Sequence, residues 1–379
     1  MKTYCIFSAQ YLPTVGGVEN YTYNLSKELI NRGNRVIVVT SNVHNLKKHE
    51  IQEGIEIYRL PCINLLNGRF PVAKLNRKFF EIIKLISKIK FDLVIVNTRF
   101  YIHSVVGVIF SRMKKIKSIV IEHGTGHLTI DNKVLDKIGQ YFEHFLTAII
   151  KQYNKDFYGV SQACNEWLKH FNIKAKSTVY NSIDLDRIEY IKGNINNSFR
   201  EKYRISKNAI VISFTGRLVK EKGILQLVEA VKRLSKNEKN VYLFVAGDGV
   251  LYNELNEISN NNVIMLGRLS FEDIISLLKE TDIFCLPSDS EGFPTSVLEA
   301  VACNCFIITT ERGGAKELII NKEYGIVMND NKVDTIYYNL VKVIEDVDYR
   351  ERAIKLSYER LKENFTWKIA ASKITGLLE

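Results

Sequence analysis

The sequence contains few cysteines and prolines, and it has no long apolar run. Among its 379 residues are six cysteines and five prolines, and no two cysteines have the spacing of a zinc site. We therefore expect reduced thiols buried in the fold, as in cytoplasmic proteins. No run reaches the roughly 18 apolar residues that a membrane-spanning helix requires. The start of the chain resembles a strand and lacks the layout of a signal peptide. These absences predict a protein that is soluble or only peripherally bound to a membrane.

Basic residues outnumber acidic ones, which gives a formal net charge of +11. Such an excess favours an anionic partner: nucleic acid, an anionic membrane or a phosphorylated ligand. The sequence has no helix-turn-helix, zinc-finger or aromatic–basic RNA-binding motif, so we expect no nucleic-acid partner. The composition, 46% hydrophobic and 25% charged, is that of a globular protein, and the length exceeds that of one ordinary core. We therefore expect two domains.

The chain begins with a strand, a glycine turn and a helix. Residues Thr3 to Ser8 are mostly apolar, and Gly16 and Gly17 precede a helical spacing of apolar residues that Gly33 closes. A second strand, Val36 to Thr40, completes a βαβ unit. Glycines at this helix start let a phosphate approach backbone N–H groups, although turn glycines are often only structural. No third glycine follows at the spacing of the dinucleotide fingerprint.

A buried strand in the second half, Ala209 to Thr215, leads into Gly216 and two cations, Arg217 and Lys222. Two positive charges between a strand end and a helix start suit a diphosphate, because arginine offers a planar fork and lysine a mobile ammonium. Most scattered basic residues are simply solvated, and that is the alternative for this pair. The pair is therefore a candidate phosphate clamp.

Two glutamates, Glu291 and Glu299, follow a further apolar strand, Ile283 to Leu286. A glycine and a proline between them suit a tight turn, and a helical pattern begins at Ser296. Open α/β sheets bind ligands beyond the carboxyl ends of their strands, so both carboxylates are candidates for hydrogen bonds from ligand hydroxyls. The alternative is one glutamate at a helix start and another facing solvent.

The order of Glu, seven residues and Glu, with Gly292 and Phe293 after the first Glu, resembles the signature of retaining GT-B glycosyltransferases of family four. The resemblance implies an α/β fold of the GT-B class, in which two Rossmann-like domains with parallel sheets face a central cleft. It also implies that Glu291 contacts the transferred sugar and that Glu299 holds the nucleotide ribose. The donor-binding positions of this stretch are then Glu291, Gly292, Phe293, Pro294, Thr295 and Glu299.

Other positions match the same family. Gly16 and Gly17 resemble its glycine-rich donor loop, and Arg217 and Lys222 resemble its donor-phosphate pair. The same resemblance implies that the main chain of three residues at a further strand end contacts the nucleotide base: Gly267, Arg268 and Leu269.

His123 ends an apolar strand and precedes glycines, which resembles the family's histidine that faces the transferred sugar. The alternative is a structural histidine. Glu122 and His127, in the same stretch, are secondary candidates for acceptor contacts. The resemblance thus implies four catalytic residues: His123, Arg217, Lys222 and Glu291. One element departs from the family pattern, because Ser182 stands where glycine is commoner.

The expected domain limits follow from these matches and from composition. An acceptor domain is expected over residues 1–190, with a C-terminal helix over about 366–379 packing back on it. The tract 191–205 is polar and lacks apolar periodicity, so it is interpreted as a linker. A donor domain is expected over residues 206–365.

The predicted function is transfer of a hexose or N-acetylhexosamine, with retention, from a UDP-linked or other nucleotide diphosphate sugar to a lipid-linked or surface-polysaccharide acceptor. No cofactor and no metal are predicted. Two Asp-x-Asp sequences lack a preceding buried strand and are interpreted as structural: Asp184 to Asp186 and Asp346 to Asp348. Two alternatives stay open, a sugar-nucleotide 2-epimerase of the same fold and a non-catalytic, membrane-associated nucleotide-binding protein.

The tract Arg69 to Lys90 predicts an amphipathic helix whose apolar face begins at Leu75. Lysines lie largely opposite that face: Lys74, Lys78, Lys84 and Lys88. The pattern suits either core packing or contact with anionic lipid headgroups. The second interpretation places the protein in the cytoplasm, peripherally bound to the inner face of the cell membrane.

Overall fold

A computed structural model of the protein describes residues 1–14, 16–65, 68, 70–129, 132–237, 240–289 and 291–378. The chain forms two compact units, one of Met1–Asn181 with Trp367–Glu379 and one of Ser182–Thr366. Each unit is a Rossmann-like α/β arrangement around a mainly parallel sheet. The predicted fold class, with two such domains, is confirmed.

The strands of the first unit are β1 (Thr3–Ser8), β2 (Arg35–Ser41), β3 (His49–Gln52), β4 (Ile55–Leu60), β5 (Cys62–Leu65), β6 (Phe70–Ala73), β7 (Leu93–Asn97), β8 (Ser118–Glu122), β9 (Phe157–Gly159) and β10 (Ser177–Thr178). Eight of them form one sheet in the order β10-β9-β8-β7-β1-β2-β4-β3. Its neighbours are parallel except for the antiparallel pair β3 and β4. Strands β5 and β6 form a separate antiparallel hairpin.

Helices connect these strands and cover the sheet: α1 (Gly17–Asn31), α2 (Arg77–Ile86), α3 (Ile102–Lys114), α4 (Lys133–Tyr153) and α5 (Gln162–Lys169). Strand β1 shows why both faces are buried. Tyr4 and Ile6 lie in one apolar cluster with Tyr21 of α1. Cys5 and Phe7 lie in another cluster. Because successive strand residues point to opposite faces, a sheet covered on both sides needs the continuous apolar run seen in the sequence.

The strands of the second unit are β11 (Ile210–Thr215), β12 (Val241–Ala246), β13 (Val263–Gly267), β14 (Ile283–Leu286), β15 (Phe306–Thr310) and β16 (Ile326–Met328). They form a parallel sheet in the order β13-β12-β11-β14-β15-β16. The chain builds outward from β11 to β13 and then returns to add β14 on the other side of β11. This reversal is a topological switch point, where the carboxyl ends of two neighbouring strands open a crevice.

The helices of the second unit are α6 (Leu185–Asn194), α7 (Phe199–Lys202), α8 (Ile224–Asn237), α9 (Tyr252–Ile258), α10 (Phe271–Lys279), α11 (Thr295–Ala302), α12 (Ala315–Leu318), α13 (Val333–Glu345) and α14 (Val347–Asn364). The last helix, α15 (Trp367–Gly376), belongs to the first unit. Its Trp367 and Ile374 lie in the same apolar cluster as Tyr21, and the Tyr21 and Trp367 rings are 5.2 Å apart.

The two units do not divide at the predicted domain limits. The first unit ends at Asn181, and the tract 191–205, predicted as a linker, lies within the second unit. This tract is polar but ordered, because the side chains of Asp184 and Ser198 cap α6 and α7. Phe199 and Ile205 are also buried in the core of that unit. Capping groups and two anchoring apolar residues produce no periodic pattern, which is why the sequence of this tract suggests a linker.

The predicted helix from Arg69 to Lys90 is also shorter than expected. Arg69 lies outside the described residues, residues 70–73 form strand β6, and α2 begins at Arg77. The side-chain oxygen of Asn76 accepts a hydrogen bond from the Phe79 N–H and so fixes the helix start. Leu75 precedes this cap and is 64% exposed, so it is not part of the buried face.

Among the described residues, no helix is both long and apolar enough to cross a membrane. None of the six cysteines is in a disulfide, and five are buried as predicted, whereas Cys62 is partly exposed.

Candidate functional site

Three loops at the carboxyl edge of the second sheet carry the predicted donor residues. Strand β11 leads to Arg217 and Lys222, β14 leads to Glu291, and β13 ends at Gly267. Strands β11 and β14 are hydrogen-bonded neighbours at the switch point, so their loops lie side by side. The predicted strand before Glu291 and the predicted helix after it are confirmed as β14 and α11.

Lys222 and Glu291 form an ion pair between Nζ and Oε1. Only 16% and 10% of the two side chains are exposed, so the pair is largely withdrawn from water. The Ser288 hydroxyl donates to the same Glu291 oxygen at 2.7 Å. Two residues separated by 69 positions in the chain are therefore brought together at the edge of one sheet.

The absence of a side chain at Gly223 lets the loop that carries Lys222 approach the loop that carries Glu291. Gly223, directly after Lys222, has φ +67°, and a Cβ at this position would lie 2.0 Å from the Pro287 carbonyl oxygen. A side chain there would push the Lys222 turn away from the loop after β14. The Asp289 N–H donates to the Glu221 carbonyl at 2.7 Å and ties the same two loops together.

Gly314 supports the other side of the Glu291 loop. Its N–H donates to the Gly292 carbonyl at 2.8 Å, and a Cβ on Gly314 would lie 2.1 Å from the Phe293 ring. Phe293 is buried and packs against Phe365 with a centroid separation of 5.3 Å. These contacts fix the backbone on which Glu291 sits.

Helix α11 begins at Thr295 and carries Glu299 in its second turn. Glu299 is partly buried, and burial raises its carboxyl pKa to about 7. The group therefore changes charge near neutral pH. An ionised Glu299 is a hydrogen-bond acceptor only, and a protonated one can donate.

The remaining donor candidates of this unit are more exposed. Arg217 is exposed and forms no ion pair among the described residues, so its guanidinium is open to an anion. Gly267 has φ +69° and accepts a hydrogen bond from the Gly247 N–H at 2.8 Å. Arg268 is exposed, and Leu269 packs against the core of the unit.

The glycine turn of the first unit lies at the start of α1. Gly16 occupies the N-cap position in extended backbone, and a Cβ there would lie 2.4 Å from the Glu19 Oε2 atom. A Cβ on Gly17 would have no atom within 4 Å. Packing within the chain therefore does not require glycine at position 17. Bare backbone N–H groups at a helix start suit an anion, which supports the predicted role of Gly17.

His123 lies just beyond the carboxyl end of β8. Its Nε2 is 3.2 Å from the Asn97 side-chain oxygen, and its ring meets Tyr21 edge-on at 4.7 Å. Burial lowers the His123 pKa to about 3, so the imidazole is neutral at physiological pH. A neutral ring whose Nε2 proton is directed at Asn97 leaves Nδ1 as an acceptor.

Glu122 is fully buried, which counts against its predicted contact with an acceptor. Its Oε1 accepts hydrogen bonds from the backbone N–H groups of His123 and Gly124, at 3.1 and 3.0 Å. Its Oε2 lies 3.4 Å from the Nε atom of the buried Arg99. Burial raises the Glu122 pKa, and the Arg99 charge opposes that shift. Glu122 therefore shapes the loop that carries His123.

Comparison with known protein families finds a glycosyltransferase model in each half of the chain. A family model described as "Glycosyltransferase Family 4" matches residues 15–187, and one described as "Glycosyl transferases group 1" matches residues 196–360. The chain is a glycosyltransferase with the GT-B fold.

Relatives match this glycosyltransferase over nearly its whole length. An uncharacterized glycosyltransferase of Methanocaldococcus jannaschii is 28% identical, over 99% of this chain and 97% of the relative. An Escherichia coli UDP-Gal:alpha-D-GlcNAc-diphosphoundecaprenol alpha-1,3-galactosyltransferase is 25% identical, over 90% and 88% of the two chains. The crystal structure of Anabaena HepE in complex with UDP superposes with a TM-score of 0.75 at 18% identity, over 100% and 99% of the chains.

Several residues around the predicted site of the glycosyltransferase were missed from the sequence. Ser288, Asn97 and Arg99 contact Glu291, His123 and Glu122, respectively. All three follow or end a buried strand at the ligand-binding edge of a sheet, and that position was the available signal. The Nδ1 atom of His127, a predicted acceptor contact, lies 2.8 Å from Oε2 of Glu143 in α4.

The glycosyltransferase also has an exposed apolar stripe on α4, which the sequence analysis did not identify. Its members are 49–69% exposed although they are large and apolar: Val134, Leu135, Ile138, Tyr141 and Phe145. At about 100° per residue they share one face of the helix. Lys133 and Lys137 lie beside this face and are exposed.

Proposed function

We propose that this glycosyltransferase moves a hexose or N-acetylhexosamine from a UDP-linked sugar to a lipid-linked or surface-polysaccharide acceptor, with retention of anomeric configuration. The observation that carries the proposal is the Lys222–Glu291 ion pair at the switch point of the second sheet, with Arg217 on the same loop as Lys222. Two cations and a carboxylate are what a sugar diphosphate requires: positive charge at the phosphates and a hydrogen-bond acceptor at the sugar hydroxyls. The UDP bound to Anabaena HepE and the named activity of the E. coli relative support the choice of donor and acceptor.

Transfer breaks the bond between the anomeric carbon and the diphosphate oxygen and forms a bond from the acceptor oxygen to the same carbon. The nucleoside diphosphate leaves with the bonding electron pair, and its departing oxygen takes up the proton that the acceptor hydroxyl loses. Positive charge develops at the sugar ring and negative charge on the departing phosphate. Arg217 and Lys222 stabilise that negative charge. The stabilisation by Lys222 is large because its side chain is fixed and partly withdrawn from water.

Glu291 binds the sugar in this proposal and does not attack it. Its Oε1 is already held by Lys222 and by the Ser288 hydroxyl, so that oxygen points toward protein groups. A carboxylate fixed in this way accepts hydrogen bonds from sugar hydroxyls. His123 contributes as a neutral ring or through its backbone, because its low pKa excludes an imidazolium at pH 7.

The proposed transfer needs no metal, since protein cations take the place of a divalent ion at the diphosphate. A saturating chelator should leave the initial rate near its starting value. Loss of activity with chelator, and its recovery with manganese or magnesium, would contradict this part of the proposal.

The reaction is tested with a panel of sugar nucleotides and a polyprenyl-diphosphate-linked sugar acceptor. Release of nucleoside diphosphate that depends on the acceptor supports transfer, and an NMR spectrum of the product that shows the donor's anomeric configuration supports retention. Conversion of the donor to its 2-epimer without acceptor would favour an epimerase. Donor binding without turnover would favour a non-catalytic nucleotide-binding protein.

Peripheral contact with an anionic membrane is part of the proposal, because a lipid-linked acceptor is held at a membrane surface. The apolar stripe of α4 and its flanking lysines combine burial in the acyl boundary with attraction to anionic headgroups. The exposed Phe80 and Leu85 of α2, with Lys78 and Lys84, offer a second surface of the same kind. Both helices belong to the first unit, the predicted acceptor domain.

A further inference from the structure

We propose that the first unit binds a divalent cation of the zinc class through His127, His144 and His170. One ring nitrogen from each of these residues lies within 4.8 Å of the other two. The three come from separate elements: the loop after β8, helix α4 and the residue that ends α5. No sequence periodicity brings them together, so their convergence is produced by the tertiary fold.

The spacing of the nitrogens suits a metal centre. The Nε2 atoms of His144 and His170 are 3.2 Å apart. Zinc binds imidazole nitrogen at about 2.0–2.1 Å, so two nitrogens of a tetrahedral site lie about 3.3 Å apart. His127 is partly buried, whereas His144 and His170 are exposed. Rotation of the exposed rings is needed to bring all three nitrogens to bonding distance, because they lie within 4.8 Å of one another.

A buried carboxylate already orients His127. The His127 Nδ1 is 2.8 Å from Glu143 Oε2, and the other Glu143 oxygen accepts the Leu128 N–H at 2.9 Å. A neutral His127 that donates from Nδ1 to Glu143 presents the lone pair of Nε2. Metal-binding histidines are usually held by such a carboxylate, which fixes the tautomer and increases ligand basicity.

The buried charged groups near the histidines have a formal net negative charge, which favours a cation. Arg99 is fully buried and lies 3.4 Å from Glu122 and 3.6 Å from Glu143. One guanidinium and two carboxylates carry a formal excess of one negative charge, and a divalent ion at the histidines offsets it. Three imidazoles favour zinc, copper or nickel over the oxygen-seeking magnesium and calcium.

The ion would join the loop after β8 to helices α4 and α5. That loop begins with His123, so the ion acts as a structural clip beside the residue predicted to face the transferred sugar. It lies in the first unit and is separate from the Arg217 and Lys222 pair of the second. The clip therefore does not depend on the proposed function.

The test uses protein without a polyhistidine tag, stripped of metal with a chelator that is then removed. Zinc titration in a calorimeter should show one ion per chain with Kd at or below about 1 μM. Cobalt in place of zinc should give the visible absorption of a four-coordinate site. Thermal unfolding should shift upward with zinc, because the ion binds only the folded chain. No magnesium binding is expected.

Variants distinguish a specific metal site from adventitious binding at the protein surface. His170→Asn and His127→Ala should each weaken zinc binding by at least 100-fold. Glu143→Gln should weaken it by about 10–100-fold, as loss of an orienting carboxylate does at other metal sites. His49→Gln is the control, because His49 is exposed in the same unit and outside the cluster. Stoichiometric binding weaker than about 1 μM in the wild type overturns the proposal, and so does wild-type affinity in a folded His127→Ala or His170→Asn protein.

Discussion

The Lys222 ammonium is paired with the Glu291 carboxylate at the edge of the second sheet. Because neither group is fully hydrated, removing one partner leaves a poorly solvated charge, and the pair holds both side chains in place. A sugar diphosphate offers each of them a new partner, phosphate for Lys222 and sugar hydroxyls for Glu291. The ion pair thus preorganises the two groups that the proposed reaction uses.

Removing either cation should slow transfer. Lys222→Ala and Arg217→Ala should each reduce kcat/KM by at least ten-fold, about 1.4 kcal/mol of barrier, because negative charge on the departing diphosphate loses a partner. Acceptor-dependent release of nucleoside diphosphate measures the effect. Lys220→Ala is the matched control, since Lys220 lies on the same turn and is exposed. Folded Lys222→Ala and Arg217→Ala proteins with wild-type rates would rule out the phosphate clamp.

Gly17 should be needed for activity and not for folding. A Cβ at this position would meet no atom within 4 Å, and alanine is a better helix former than glycine. Gly17→Ala should therefore leave the melting temperature unchanged or slightly raised. If the glycine turn receives the diphosphate, the same variant should lose at least ten-fold in kcat/KM. Gly139→Ala is a control, because Gly139 also has open space around its Cα and lies in α4. Full activity in Gly17→Ala would remove this turn from the donor site.

Donor binding should depend on the ionisation of Glu299. Its folded-state pKa of about 7 lies above the ordinary value, so the carboxyl is protonated in mildly acidic solution. If the carboxylate accepts ribose hydroxyls, donor affinity should rise with pH up to about 7 and then level off. Below that pH, affinity should fall by as much as ten-fold per unit. Calorimetric titration of UDP between pH 5.5 and pH 8.5 gives the profile.

The control for this pH profile is Glu299→Gln, because glutamine keeps the shape of the side chain and cannot ionise. It should remove the part of the pH dependence that belongs to the protein and leave the part that comes from the phosphate of UDP, whose second pKa is about 6. Because the raised pKa makes the ionised carboxyl unfavourable in the fold, the variant should also raise the free energy of unfolding at pH 8 and change it little at pH 4.5. An unchanged pH profile in Glu299→Gln would exclude the ribose role.

The fold, and the position of several candidate site residues at strand ends, could be predicted because they depend on local patterns. Apolar strands such as Thr3 to Ser8, followed by a glycine turn and a helix, specify parallel α/β units directly. Arg217 and Glu291 stand at strand ends, which is where such sheets bind ligands. The order of motifs along the chain was enough to place both residues on one edge.

The missed features depend on contacts between distant positions. His127 and His170 are 43 residues apart in sequence, and nothing local marks them as neighbours. The exposed stripe of α4 has the periodicity of an ordinary buried face, so the sequence alone cannot distinguish which side the core covers. The end of the first unit at Asn181 was missed because capping by Asp184 leaves no apolar pattern.

The exposed apolar stripe of α4 should bind anionic liposomes. Burying a large apolar side chain contributes about 1.5–3 kcal/mol, and each nearby lysine about 1 kcal/mol at an anionic surface. The triple change of Ile138, Tyr141 and Phe145 to Ser should therefore reduce binding by at least 100-fold in co-sedimentation with phosphatidylserine vesicles. Replacing the α2 lysines Lys78 and Lys84 with Ser should instead weaken binding mainly at low salt, since exposed charges are screened within about 10 Å at 0.1 M.

Controls separate membrane contact from general loss of structure. Val250→Ser removes an even more exposed apolar side chain from the second unit and should leave vesicle binding unchanged. The α4 variant should keep its melting temperature and its rate with a water-soluble acceptor analogue, because its altered side chains are exposed and lie outside the proposed donor site. Its rate with a vesicle-embedded acceptor should fall with its binding. A wild-type protein that ignores anionic vesicles at low salt would rule out membrane docking and favour a soluble acceptor.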